Sequence, residues 1–215
     1  MKRIYTSIFL LVALSLLFQH CNRDEENVTP VITNEGLTTV RLHLVNNTNA
    51  ADTLTAQWEQ LLDNNGRPLP VNVSKAKLVL KANQVYTGTM MILDKSQKPA
   101  GDVTQEVKDR SVYHILFYQP LPATGALVIP HSIQELYPEP IPSPLPAGGA
   151  LNLTVESTDK DPNNLPIGLA TRWTTGAASN GWVQVVLRHQ PAGKDGTYTP
   201  GSTDMNVGFG VEIAP

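Results

Sequence analysis

From residue 38 onward, apolar and polar side chains alternate almost one for one, and this period of two constrains the fold more than any other feature of the chain. Val40, Leu42 and Leu44 fall on one side of an extended segment, with Thr39, Arg41 and His43 on the other. Near the end of the chain Met205, Val207, Phe209, Val211 and Ile213 share a side, against Asn206, Gly208, Gly210 and Glu212. Comparable stretches lie at 54–60, 76–82, 85–93, 112–119, 151–157, 167–174 and 182–189, separated by turn formers such as Asp63-Asn64-Asn65-Gly66. Only 102–110 breaks the pattern. There Asp102 is placed as an N-cap, Gln105 follows three residues on, and Val103 and Val107 are four apart, which predicts a short helix. A doubly wound α/β fold needs several long helices. The expected class is mainly β: an antiparallel, immunoglobulin-like β-sandwich with one short helix.

Proline marks the exception to this regularity. Eight prolines lie between 120 and 149, a density that excludes central strand or helix over most of the stretch. Within it, 138–146 alternates proline with other residues and reads as extended polyproline. Such a segment serves either as a linker between halves or as a crossover laid over one sandwich. The strand-rich parts on either side are each short of a complete core, which favours the crossover and a single domain over 38–215.

The amino terminus has a different composition. Lys2 and Arg3 precede an apolar run over 8–18, and residues 1–20 contain no acid. Eleven helical residues span about 16 Å, roughly half of a bilayer core, so the run fits a signal h-region better than a membrane span. It ends just before Cys21, the only cysteine in 215 residues. One thiol forms no internal disulfide, no thiolate zinc site and no redox pair. Asp24, Glu25 and Glu26 follow directly, and the polar residues 21–37 read as an acidic, flexible tether. With a formal charge of −3 and no basic cluster, no nucleic-acid partner is expected.

The leader, the lone cysteine and the acidic tract resemble those of Bacteroidetes-type surface lipoproteins, with His20 standing where that motif carries Gly, Ala or Ser. The resemblance implies a signal peptide ending at residue 20 and lipidation of Cys21, with palmitate among the acyl chains. It also implies an outer-membrane protein, held by its lipid and facing the cell surface of a Gram-negative bacterium. Further along, 38–45, Tyr86-Thr-Gly-Thr, the segment from Asp102 to His114, the 158–168 loop and Leu187-Arg-His-Gln-Pro look like a family of secreted lipoproteins often catalogued as a "type 1 periplasmic binding fold superfamily". That likeness implies an envelope protein of binding type that works with an outer-membrane uptake receptor. The periodicity itself predicts a sandwich rather than the two α/β lobes that the family label describes.

Few residues carry a chemical signature. Asp159, Asp161 and Asn163 have a D-x-D-x-N spacing that can point oxygens at a hard cation such as calcium, or can simply build an Asx-rich turn. Of the histidines beyond the leader, His43, His114, His131 and His189, no two are close in sequence, so a transition-metal site requires the fold to bring them together. His114, after the predicted helix, and His189, continuing the face of Val183, Val185 and Leu187, are the best candidates. Nucleophile elbow, zinc-protease helix, P-loop and dinucleotide motif are all absent, and no catalytic role is expected. The reading is a non-catalytic binding or accessory module that captures a metal or metal-containing nutrient. The alternative is a carbohydrate-binding or adhesion module using Trp58, Trp173 and Trp182 on an exposed surface.

Overall fold

A computed structural model describes residues 37–122 and 151–215. The expected leader, Cys21 with its expected lipidation, nearly all of the expected tether and residues 123–149 of the proline-rich segment lie outside the described residues. The described residues form eleven strands and one helix: β1 (Thr39–Asn46), β2 (Asn49–Glu59), β3 (Asn72–Lys75), β4 (Lys77–Lys81), β5 (Val85–Asp94), β6 (Gly101–Asp102), α1 (Val103–Asp109), β7 (His114–Pro122), β8 (Leu153–Ser157), β9 (Ala170–Thr175), β10 (Ser179–His189) and β11 (Ser202–Ala214). They form two sheets. One runs β3-β2-β1-β5-β9-β8 with β6 added to β5, and the other runs β4-β11-β10-β7. The fold is the expected β-sandwich. It is antiparallel throughout except where β4 joins β11 in parallel.

The alternation in the sequence becomes the two faces of each strand. Val40, Leu42 and Leu44 of β1, Tyr86 and Ile92 of β5, and Trp173 of β9 are wholly buried. Across from them stand Val183, Val185 and Leu187 of β10 with Val207, Phe209 and Val211 of β11, at 2% exposure or less. Each such side chain contributes about 1.5–3 kcal/mol through burial. Two phenols join the sheets. Tyr118 of β7 meets Trp173 edge-on at 6.1 Å and donates a 2.6 Å hydrogen bond to the Gly168 carbonyl, and the Tyr86 hydroxyl accepts one of 2.9 Å from the Lys81 amide.

Strand β7 ends at Pro120 and Pro122, and among the described residues its ladder partner is β10 alone, so prolines are tolerated on this edge. At Gly181, in β10, an added Cβ would lie 2.1 Å from the Leu121 carbonyl oxygen, so the two backbones meet there too closely for any side chain. Helix α1 starts as predicted: the Asp102 side chain accepts from the Gln105 amide at 3.2 Å. Val107 anchors its inner face, and the turn that follows delivers the chain to His114.

A buried histidine–aspartate cluster at one end of the sandwich

His114 is the first residue of β7 and His189 the last of β10, and the antiparallel register sets them directly opposite one another. Their rings stack with centroids 4.8 Å apart and planes 19° apart. The third member comes from β11. The β10–β11 register pairs Leu187 with Met205 but Arg188 with Thr203, so Asp204 is an extra residue on β11. A bulge of this kind re-aims a side chain, and Asp204 falls with the two histidines. One donor atom from each of the three lies within 4.8 Å of the others, and His114 Nε2 to Asp204 Oδ2 is 3.8 Å.

All three side chains are buried, at 0%, 1% and 4% residue exposure for His114, His189 and Asp204. Their polar atoms are nonetheless poorly satisfied. His114 Nε2, both nitrogens of His189 and Asp204 Oδ2 find no hydrogen-bond partner among the described residues. Buried polar atoms are nearly always paired, and leaving one unpaired costs about 1–3 kcal/mol. Four such atoms, carried by three strands, are gathered in one place, the kind of donor set that can hold a metal ion. The exception is His114 Nδ1, 3.0 Å from the Arg110 carbonyl. A carbonyl only accepts, so Nδ1 carries the proton and the Nε2 lone pair faces the cluster. Metal-ligating histidines are typically held in this way.

Electrostatics keep the imidazoles neutral. Burial, helped by the charges of His189, Arg110 and Lys194, lowers the His114 pKa to about 4 despite the hydrogen bond to the Arg110 carbonyl. His189 is lowered by burial and by Arg110. Asp204 moves the other way: burial raises it to about 7, against the charges of Arg188 and Arg110. Neutral imidazoles with free lone pairs, beside a carboxyl that ionises readily when a cation arrives, form a donor set for a first-row divalent ion.

The fold thus brings together His114 and His189 but not the 159–163 loop. Asp159 accepts from the amides of Gly168 and Leu169 at 2.8 and 3.0 Å. Asp161 Oδ1 accepts from the amides of Asn163 and Leu165, both at 2.9 Å, while Oδ2 faces the Lys194 ammonium at 3.0 Å. Both carboxylates are thus engaged in holding the turn. His43 lies on the other sheet, half-buried, with Nδ1 3.0 Å from the Thr55 hydroxyl, and His131 is outside the described residues. Trp173 and Trp182 are buried and Trp58 is half-buried, so the indoles form no exposed row.

Asp204 and Lys194 were the residues that spacing alone did not reveal. The one signal for Asp204 is an acid placed one position out of phase, immediately before the apolar series that begins at Met205. Compared with protein-family models, with curated proteins and with solved structures, the chain matches none.

Proposed function

We propose that this chain is a lipid-anchored outer-membrane protein, facing the cell surface, whose sandwich binds one first-row divalent transition-metal ion through His114, His189 and Asp204. It acts as a non-catalytic capture module that passes a metal or metal-containing nutrient to an uptake receptor. The observation that carries the metal reading is the convergence of four unpaired buried polar atoms from three strands. Two imidazoles and one carboxylate suit zinc, nickel, copper or iron better than calcium, which takes six to eight oxygens. Zinc bonds of about 2.0–2.1 Å place tetrahedral ligand atoms roughly 3.4 Å apart, so from a spread of up to 4.8 Å the cluster has to close by up to about 1.4 Å. His189 is the ligand that moves, because neither of its nitrogens is tied and its ring can turn out of the stack. His114 stays in place on the Arg110 carbonyl.

The anchor reading rests on the apolar leader, Cys21 and the acids that follow it. Firm anchoring follows if several acyl chains are added, since each buried methylene contributes about 0.8 kcal/mol.

Calorimetric titration of the soluble body with zinc, nickel, copper and calcium tests the metal reading. Saturation by one equivalent of a transition ion, lost in His114→Ala with His189→Ala, is expected, and flat traces for all four ions would sink it. Cys21→Ala should move the full-length protein from the membrane fraction to the soluble fraction. Continued sedimentation with membranes after normal leader cleavage would refute the anchor.

A further inference from the structure

Two of the three cluster residues are joined by a single loop. His189 ends β10, Asp204 is the third residue of β11, and residues 190–201 run between the strands. Three glycines in this loop have positive φ: Gly193 at 142°, Gly196 at 84° and Gly201 at 81°. At Gly201 a Cβ would lie only 1.8 Å from the His189 carbonyl oxygen, so the returning chain closes tightly against the histidine's own backbone. Side chains reinforce the closure. The Gln190 side-chain amide donates to the carbonyls of Thr197 and Pro200, and the Arg188 guanidinium donates to the Thr203 hydroxyl and to the carbonyls of Pro200 and Gly201.

The loop also reaches outward to one fixed point. Residues 191–193 are exposed, yet the Lys194 side chain is 1% exposed and pairs at 3.0 Å with Asp161, whose side chain is fully buried. The same ammonium donates at 3.0 Å to the Ser111 carbonyl, in the turn that leads into His114. A buried ion pair has a large desolvation cost and is weak evidence for net stability. Here it sits near the middle of the 190–201 loop and ties that loop to two neighbouring segments.

We propose that residues 190–201 form a lid over the histidine–aspartate cluster, and that the Lys194–Asp161 ion pair is the latch holding it shut. The proposal rests on the metal reading for its purpose, since a site buried on all sides needs a moving part to load and release an ion. With the latch closed, an ion exchanges slowly. When the latch opens, the glycine hinges let the loop lift while β10 and β11 stay paired. The proposal also assigns Asp161 a role: it receives the latch, and its other oxygen caps the turn that presents it.

The test uses metal-free protein, so that it reads the lid independently of the metal. Histidine acylation by diethyl pyrocarbonate is followed peptide by peptide in the wild type, in Lys194→Met and in the double variant Asp161→Asn with Lys194→Met. The double variant removes both charges together, so neither is left buried without its counter-ion. Both variants should raise the acylation rate of His114 and His189 about tenfold through easier local opening, while His43 on the distant sheet keeps its wild-type rate. Unchanged rates at His114 and His189 would overturn the lid. Zinc-loaded double variant should then release its ion to a chelator faster than wild type, at unchanged stoichiometry. If the wild type fails to bind zinc but the acylation result holds, the metal reading fails and the lid stands. If neither variant folds, native-state hydrogen exchange of the wild type decides. The Gly193 amide should exchange through a local opening well below the global unfolding seen at Val185 and Val207. Exchange of Gly193 only together with that ladder would overturn the proposal.

Discussion

Replacing Asp204 with Asn in the metal-free protein should change how stability depends on pH. Folding raises the Asp204 carboxyl from 3.8 to about 7. Between those values the folded chain holds a proton that the unfolded chain has released. Stability from this group is therefore fully present below pH 3.8 and is lost as pH rises toward 7, at about 1.4 kcal/mol per pH unit. His114 acts in the opposite sense, since folding lowers it from 6.5 to about 4. Its contribution is present above 6.5 and is lost as pH falls toward 4. From about pH 4 to 6.5 the Asp204 slope opposes that of His114, because folding removes a proton from an imidazole and keeps one on the carboxyl, and His189, also lowered, acts with His114. Asn removes the carboxyl half only. Relative to wild type, the unfolding free energy of Asp204→Asn should rise with pH by roughly 3–4 kcal/mol between pH 4 and 7. Urea titrations followed by tryptophan fluorescence, with a chelator present and at half-unit pH intervals, measure this directly. Trp173 and Trp182 are buried and report global unfolding. Parallel pH profiles for wild type and variant would refute the reasoning, because they would mean that the Asp204 carboxyl is not held protonated in the fold.

Three further substitutions probe the frame that holds the cluster. Tyr118→Phe leaves the Gly168 carbonyl without its 2.6 Å donor in a buried setting and should cost about 1–3 kcal/mol by chemical denaturation; a cost near zero would mean that water reaches this carbonyl. Gly181→Ala pushes a methyl against the Leu121 carbonyl, 2.1 Å away, and should lower stability by about 3 kcal/mol or more through forced separation of β7 from β10; a thermal midpoint equal to wild type would contradict the close approach. Asp102→Ala removes the cap on α1 and should cost about 1 kcal/mol, with little effect on metal affinity.

The sandwich was legible because burial on one side of each strand writes itself into the sequence as alternation. Val40, Leu42 and Leu44 carry that signal, as do Met205 to Ile213, and the Asp102 cap marks α1. Strand β3, Asn-Val-Ser-Lys, did not announce itself. It sits at a sheet edge with Val73 alone half-buried, so no apolar series runs through it. The parallel pairing of β4 with β11 brings together residues more than 130 apart, as in the Lys77–Glu212 ion pair, and no local pattern encodes it. At the site, His114 and His189 were identifiable as histidines at strand ends, but their partner was not. Asp204 joins them through a bulge, a one-residue slip that ordinary alternation assigns to the wrong face. Asp161 was visible as an acid in a loop. Its ion pair with Lys194, 33 residues later, is written in no local pattern.

The most direct test of the central claim is a cobalt(II) titration of the metal-free body, read by visible absorption. Cobalt stands in for zinc and reports its own coordination. Saturation is expected at one equivalent, with the strong d–d bands of a low-coordinate nitrogen–oxygen site, and those bands should be lost in Asp204→Asn and in His189→Ala. A spectrum that stays that of hydrated cobalt at every ratio, or full-strength bands in both variants, would contradict the claim.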